Sequence, residues 1–88
     1  MRKLRKVWYV YMIECANGHL YTGITTDVER RVKQHKSGNG ARFTKLNGVK
    51  ELVYKEKRSS RPTALKREAE IKRWPRLKKL ALIENNQN

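Results

Sequence analysis

Residues Tyr9–His35 read YVYMIECANGHLYTGITTDVERRVKQH, and the order of apolar, turn-forming and helix-capping residues in this stretch decides the fold. Residues 7–14 (VWYVYMIE) are dense in β-branched and aromatic side chains, which predicts a strand. Their nearly unbroken apolar character predicts a central one, covered on both faces. Asn17-Gly18 marks a hairpin, with residues 19–25 as the return strand. The loop length determines what the strands present. A two-residue turn would pair Glu14 with Tyr21 and send Tyr11 and Tyr21 to opposite faces. A three-residue loop, Ala16-Asn17-Gly18 with Gly18 left-handed, pairs Ile13 with Tyr21 and Tyr11 with Gly23. Both phenols then share a face as diagonal neighbours, and this odd-length loop is the expectation. Gly23, lacking a side chain, leaves room opposite Tyr11.

Thr26 and Glu29 read as a capping box, so a helix is expected to start at Asp27 and run to about Lys36. At about 100° per residue, Arg31 and His35 fall within roughly 60° of Val28, on or beside the buried stripe, whereas Arg30 points to solvent. An arginine at the edge of a core face is costly unless something anionic meets it. Taken singly, the bland alternatives are an Arg that snorkels outward and a satisfied core histidine. Taken together beside the two tyrosines, they favour a site for an anion.

The remainder of the chain is expected to complete that site. Residues 37–48 (SGNGARFTKLNG) read as a loop with Arg42 and Lys45 around Phe43, able to track a phosphate backbone or to serve as a plain surface connection. Residues 49–57 read as a third strand, with Leu52 and Tyr54 on one face and Val49 and Val53 on the other. The fold class is α/β, an α+β sandwich whose three-stranded, mainly antiparallel sheet is flanked by helices. Ser59-Ser60-Arg61-Pro62 opens a second helix, with Pro62 in its first turn. Glu68 is placed in the middle of an apolar stripe of Ala64, Leu65, Ala69, Ile71 and Trp74. It reads either as a functional carboxylate or as half of a buried ion pair with an Arg such as Arg31. Pro75 stops the helix at Trp74. Residues 76–83 form a last helix docking through Leu77, Leu80 and Ile83, and residues 84–88 (ENNQN) are expected to fray.

Eighty-eight residues, 38% hydrophobic, suit one domain spanning 1–88, with residues 1–6 (MRKLRK) as a basic lead-in. The 22 Lys and Arg against 8 Asp and Glu give a formal charge of +14. Half of the basic residues, 11 of 22, lie between Lys55 and Lys79 against three acidic ones, so the excess is concentrated on the C-terminal elements. A polyanion relieves such self-repulsion, which makes nucleic acid the expected partner. No apolar run is long enough to span a membrane, and the basic-then-apolar start alternates like a strand with no small-residue cleavage site, so it reads as structure. A single cysteine, Cys15, rules out an intramolecular disulfide and a Cys metal cluster, and fits a reducing cytoplasm.

Tyr9-Val10-Tyr11, Tyr21-Thr22-Gly23, Asp27–Arg31 followed by His35, and Ala64-Leu65-Lys66-Arg67-Glu68 resemble in order and spacing the motifs of the GIY-YIG nuclease superfamily, most of all its small stand-alone bacterial members. The resemblance covers nearly the whole chain. It implies metal-dependent hydrolysis of nucleic-acid phosphodiesters by an endonuclease, with DNA preferred over RNA. By position it implies Tyr11, Tyr21, Arg31, His35 and Glu68 as catalytic residues and Gly23 as the motif glycine. Glu68 would be the ligand of one divalent ion, Mg²⁺ or Mn²⁺. Arg42 and Lys45 are the expected additional substrate contacts. Tyr9 departs from the motif by standing where the first glycine of GIY belongs, a change the small members share. The chain also lacks the targeting modules of larger relatives, leaving room for a separate targeting protein. The alternatives are a nucleic-acid-binding module with little or no catalysis, and an RNA-associated basic protein in which the same polar groups are structural.

The chemistry behind these roles is concrete. Arg can donate two hydrogen bonds to a phosphate, which Lys cannot do in bidentate fashion. Tyr11 or Tyr21 would orient or deprotonate the attacking water. A free phenol has a pKa of about 10, so that role calls for a nearby cation to favour phenolate, with His35 taking part in the proton transfer or holding a tyrosine.

Overall fold

The computed structural model describes residues 6–86, and most of the basic lead-in (1–5) and the last two residues lie outside them. The elements run β1 (Trp8–Glu14), β2 (Leu20–Thr25), α1 (Val28–Lys36), α2 (Arg42–Asn47), β3 (Glu51–Arg58), α3 (Arg61–Lys72) and α4 (Arg76–Asn86). The three strands form one antiparallel sheet in the order β2-β1-β3, so β1 is central as its apolar run predicts. Val10, Tyr11, Met12 and Ile13 are each no more than 1% exposed, covered from both sides.

The alternation of β1 divides the molecule into two layers around the sheet. Val10 and Met12 point to one side, where they cluster with Tyr54, Ala64, Ile71 and Ile83 beneath α3 and α4. Tyr11 points to the other side, toward His35 of α1. The hairpin loop is the odd-length one: Tyr11 pairs with Gly23 and Ile13 with Tyr21. Gly18 supplies the required positive φ, 90°, and its amide donates to the carbonyl of Cys15. Cys15 itself is wholly buried at the base of this loop.

Helix α1 starts one residue later than its sequence suggests. Thr25, Thr26 and Asp27 can all cap a helix, and Asp27 does so, accepting from the amide of Arg30 at 3.0 Å. The Thr26–Glu29 capping box is therefore not formed. Thr25 instead accepts from the Asp27 amide and fixes the approach to the helix. At the far end Gly38, with φ of 85°, closes a Schellman motif: its amide bonds to His35 and that of Asn39 to Gln34. This tight stop turns the chain back over the end of α1.

Four other expectations need correction. Residues 42–47 are a short helix, not loop; with Ala41 as an N-cap that offers no side-chain bond and one buried residue, Thr44, it carries no periodic signal. In β3 the register slips by one between Met12 and Ile13, so Tyr54 pairs with Met12 but Leu52 with Ile13. This bulge puts Leu52 and Tyr54 on opposite faces, and Val53 packs against the cluster that holds Tyr54. In α3 the buried line is Ala64 and Ile71, while Leu65 and Ala69 are exposed, which moves Glu68 from the middle of the stripe to its flank. In α4 Ile83 docks with Leu82 beside it, whereas Leu77 is 81% exposed, and the helix continues through Glu84–Asn86 where fraying was expected. A spacing of three residues drifts off a 3.6-residue stripe, which is why Leu77 and Ile83 cannot both face inward.

Helix α3 opens on Ser60, whose hydroxyl accepts from Thr63 while the Thr63 hydroxyl accepts from the Ser60 amide, with Pro62 in the first turn as expected. A polar network ties it to the sheet. Glu56 on β3 accepts from Tyr54, Arg58 and Arg67. Burial alone would raise the Glu56 carboxyl, but these three hydrogen bonds outweigh it and hold its pKa below the usual carboxylate range.

Candidate active site

The face of the sheet opposite α3 and α4 carries a cluster of rings. Tyr11 comes from the middle of β1, Tyr21 from β2 and His35 from the last turn of α1. Ring centroids lie 6.3 Å apart for Tyr11 and Tyr21, 5.9 Å for Tyr11 and His35, and 5.1 Å for Tyr21 and His35. Gly23 makes the packing possible: a Cβ there would lie 2.7 Å from the Tyr11 hydroxyl oxygen. The small residue opposite Tyr11 is thus a space requirement rather than a turn requirement.

The depth of these groups differs. Tyr11 and His35 are each 1% exposed, whereas Tyr21 is half-buried. The Tyr11 hydroxyl lies 2.8 Å from His35 Nε2. On the other side of the imidazole, Thr44 Oγ1 lies 2.7 Å from Nδ1 and 2.9 Å from the Ala41 carbonyl oxygen. The carbonyl brings no proton, so the Thr44 hydroxyl donates to it. The short contact to Nδ1 is then satisfied by an Nδ1–H donating to Thr44. The Ala41 amide, 3.4 Å from Nδ1, is the weaker competitor. With Nδ1 protonated, Nε2 accepts, and the Tyr11 O–H donates to it. The direction of the chain is Tyr11 to His35 to Thr44 to Ala41.

Burial, joined by the charge of Arg31, lowers the His35 pKa to about 4. Burial, joined by the neighbouring Tyr21, pushes Tyr11 up to about 12, with Arg31 pulling against this and Glu68 adding to it. Both groups are neutral near pH 7. The expected cation-favoured phenolate is therefore not the resting state of Tyr11. Both shifts oppose moving the Tyr11 proton to His35, so Tyr11 is not a ready base.

Arg31 is half-buried beside this cluster and donates to the Gln34 side chain at 3.0 Å. Among the described residues it has no carboxylate partner. Glu68, with an 18% exposed side chain, pairs with Lys72 at 3.4 Å and not with Arg31. The alternative in which the two neutralise each other is absent. Glu68 is still near enough to act on Tyr11 through its charge.

Arg42 and Lys45 are exposed and line a groove of about 470 Å³ with Gly38, Asn39, Gly40, Ala41 and Leu46. Neither hydrogen-bonds to the ring cluster, so they flank it rather than join it. Three members were not foreseen from sequence. Thr44 anchors His35. Gly40 lies so close that a Cβ there would come 2.9 Å from His35 Cα. Phe43 stacks at a tilt of 31° on Tyr21, centroids 6.0 Å apart. Thr44 and Phe43 stand on a helix the sequence does not announce, and only the glycine-rich composition hinted at a tight approach.

Tyr11, Tyr21 and His35 share one face of the sheet with Arg31 beside them, Glu68 is carried by α3 of the other layer, and the family model for the GIY-YIG catalytic domain matches residues 7–81. The chain belongs to the GIY-YIG family. This is a nuclease-type domain family, whose members generally act on DNA with a divalent metal. The chain is 47% identical over 75 residues to a UPF0213 protein of Staphylococcus saprophyticus, covering 85% of this chain and 92% of the relative. It is 47% identical over 76 residues to a UPF0213 protein of Staphylococcus aureus, covering 86% and 93%. The solution NMR structure of a UPF0213 protein from Bacillus halodurans has the same fold, with 44% identity, a TM-score of 0.57, and coverage of 89% of this chain and 83% of that one.

The tautomer reading makes a specific prediction. Thr44→Val keeps the shape but leaves the buried Nδ1–H without its acceptor, which should cost about 1–3 kcal/mol in urea unfolding. The imidazole nitrogen NMR signals should also shift from the Nδ1–H form toward the other tautomer. Unchanged stability together with an unchanged tautomer would refute the assignment.

Proposed function

We propose that this GIY-YIG domain is an endonuclease that hydrolyses DNA phosphodiesters with one divalent ion, using Tyr11, Tyr21, Arg31, His35 and Glu68. The observation that carries the reading is Arg31: a half-buried guanidinium beside two phenols, with no carboxylate partner among the described residues. Such a charge is poorly compensated until an anion binds, and a phosphate fits its two-donor fork.

Among the described residues no three His, Cys, Asp or Glu side chains converge, so there is no all-protein cage. A Mg²⁺-type ion does not need one: it keeps several waters and binds through one or two carboxylates plus substrate phosphates. Glu68, whose Lys72 partner is 54% exposed and free to move away, fits that requirement. When bound there, the ion would supply charge neutralisation at the phosphate and a better leaving oxygen.

The protein side chains divide the remaining work. Arg31 binds and orients the scissile phosphate and stabilises the charge that builds on it. Tyr21, the more accessible phenol, orients the attacking water, which gives up its proton to solvent. Tyr11 and His35 form the buried neutral floor that fixes Tyr21, and Gly23 keeps that floor flat. Arg42 and Lys45 hold the flanking backbone in the adjacent groove. The +14 charge, dense on α3 and α4, supplies sequence-independent attraction.

Purified protein in Mg²⁺ or Mn²⁺ is expected to nick supercoiled DNA. Arg31→Lys should lower that rate about a hundredfold, because a point charge replaces a fork. Salt-sensitive binding with no cleavage in any divalent metal would instead leave a nucleic-acid-binding module.

A further inference from the structure

Phe43 is 41% exposed, and a lone exposed apolar ring needs no explanation. Its setting does. One side of the ring lies against Tyr21, and its flank is met by His19 at 6.1 Å with the planes 74° apart. The ring is therefore held in orientation by two neighbours while still 41% open to solvent. It is the next ring out from Tyr21, and Arg42 and Lys45 of the same short helix line the adjoining groove. A flat aromatic surface next to a groove lined by cations, beside the proposed phosphate site, has the chemistry of a nucleobase platform.

We infer that Phe43 stacks on a nucleobase adjacent to the scissile phosphate, so that the substrate carries an unpaired nucleotide at the cleavage position. The inference rests on the nuclease reading and narrows its substrate. Within a duplex both faces of each base are covered by its neighbours, and no base can lie on Phe43 unless it is unpaired, terminal or turned out of the stack. A single strand, a flap or a gap presents such a base without that cost. The backbone leading away from the stacked base would then meet Arg42 and Lys45 in the adjoining groove.

The test separates this inference from the reading beneath it by measuring binding, with EDTA present so that nothing is cut. The probes are a labelled single-stranded oligodeoxynucleotide of about 15 residues and its blunt duplex. The wild-type protein should prefer the single strand. Phe43→Leu, which keeps apolar packing on Tyr21 but lacks a flat face, should weaken single-strand binding about tenfold. Duplex binding and the salt dependence of both should stay unchanged, because the cations are untouched. Phe43→Tyr should retain wild-type affinity, which guards against loss of fold as the cause. Placing abasic sugars throughout the oligonucleotide should remove the difference between wild type and Phe43→Leu. Equal single-strand and duplex affinities, or a Phe43→Leu loss that is the same on both probes, would overturn the platform while leaving the nuclease reading standing. No binding to either probe would remove both.

Discussion

Glu68→Gln is expected to reduce metal-dependent DNA cleavage by on the order of a thousandfold, the upper end for losing one strong transition-state contact. The change is isosteric and removes a charge, so what it tests is the carboxylate and not the shape. Its structural cost should be slight. Among the described residues Glu68 pairs only with Lys72, whose side chain is 54% exposed, and a pair of that kind contributes little to stability. The thermal midpoint should therefore stay near that of the wild type, and DNA binding in EDTA should rise slightly or hold, because one negative charge has left a basic surface. Cleavage that survives at the wild-type rate, with contaminating nucleases excluded, would sink the role assigned to Glu68.

The second large effect is on stability in acid. The unfolded chain takes a proton on His35 near pH 6.5, whereas the folded chain resists protonation until about pH 4. Between those values the unfolded state binds more protons, so stability is present above pH 6.5 and is lost as the pH falls through 4. With a shift of this size the loss should approach roughly 3 kcal/mol. For a domain of this size that is a large share of the total. Glu56, held below its ordinary range by Tyr54, Arg58 and Arg67, adds a further loss once the pH drops below that range. Urea unfolding measured from pH 7 to 4 should show the slope, and His35→Gln, which cannot titrate, should flatten the part between 6.5 and 5. A wild-type profile as flat as that of the variant would mean that His35 is not held neutral by the fold.

The layout was legible where local chemistry and tertiary demand agreed. The hairpin register followed from Asn17-Gly18 together with the need for Tyr11 and Tyr21 to share a face, and Gly23 lies across from Tyr11 as expected. Strand β1 announced its central place through an apolar run that no edge strand could keep dry. Where several residues could do the same job, sequence reasoning slipped by one, as with the Asp27 cap. The bulge at Val53 was invisible because nothing in ELVYKEKR distinguishes a regular alternation from one with an extra residue. Thr44, the anchor of His35, was hidden for a different reason. Its importance arises wholly from a contact nine residues back in the chain, and a buried threonine in a Gly/Asn-rich stretch looks like any loop residue. Glu68 was singled out on a stripe whose centre was misplaced: it flanks the buried line of Ala64 and Ile71 and pairs with Lys72.

Among the described residues the strand order β2-β1-β3 leaves both outer strands with unpaired backbone groups, which is the standing invitation to aggregate in a small open sheet. Strand β3 carries the exposed Lys55 and Lys57, so two copies approaching edge to edge meet cation against cation. The positive field thus opposes association of one copy with another. Concentrated stocks should stay clear at low ionic strength and cloud when short polyphosphate cancels the repulsion.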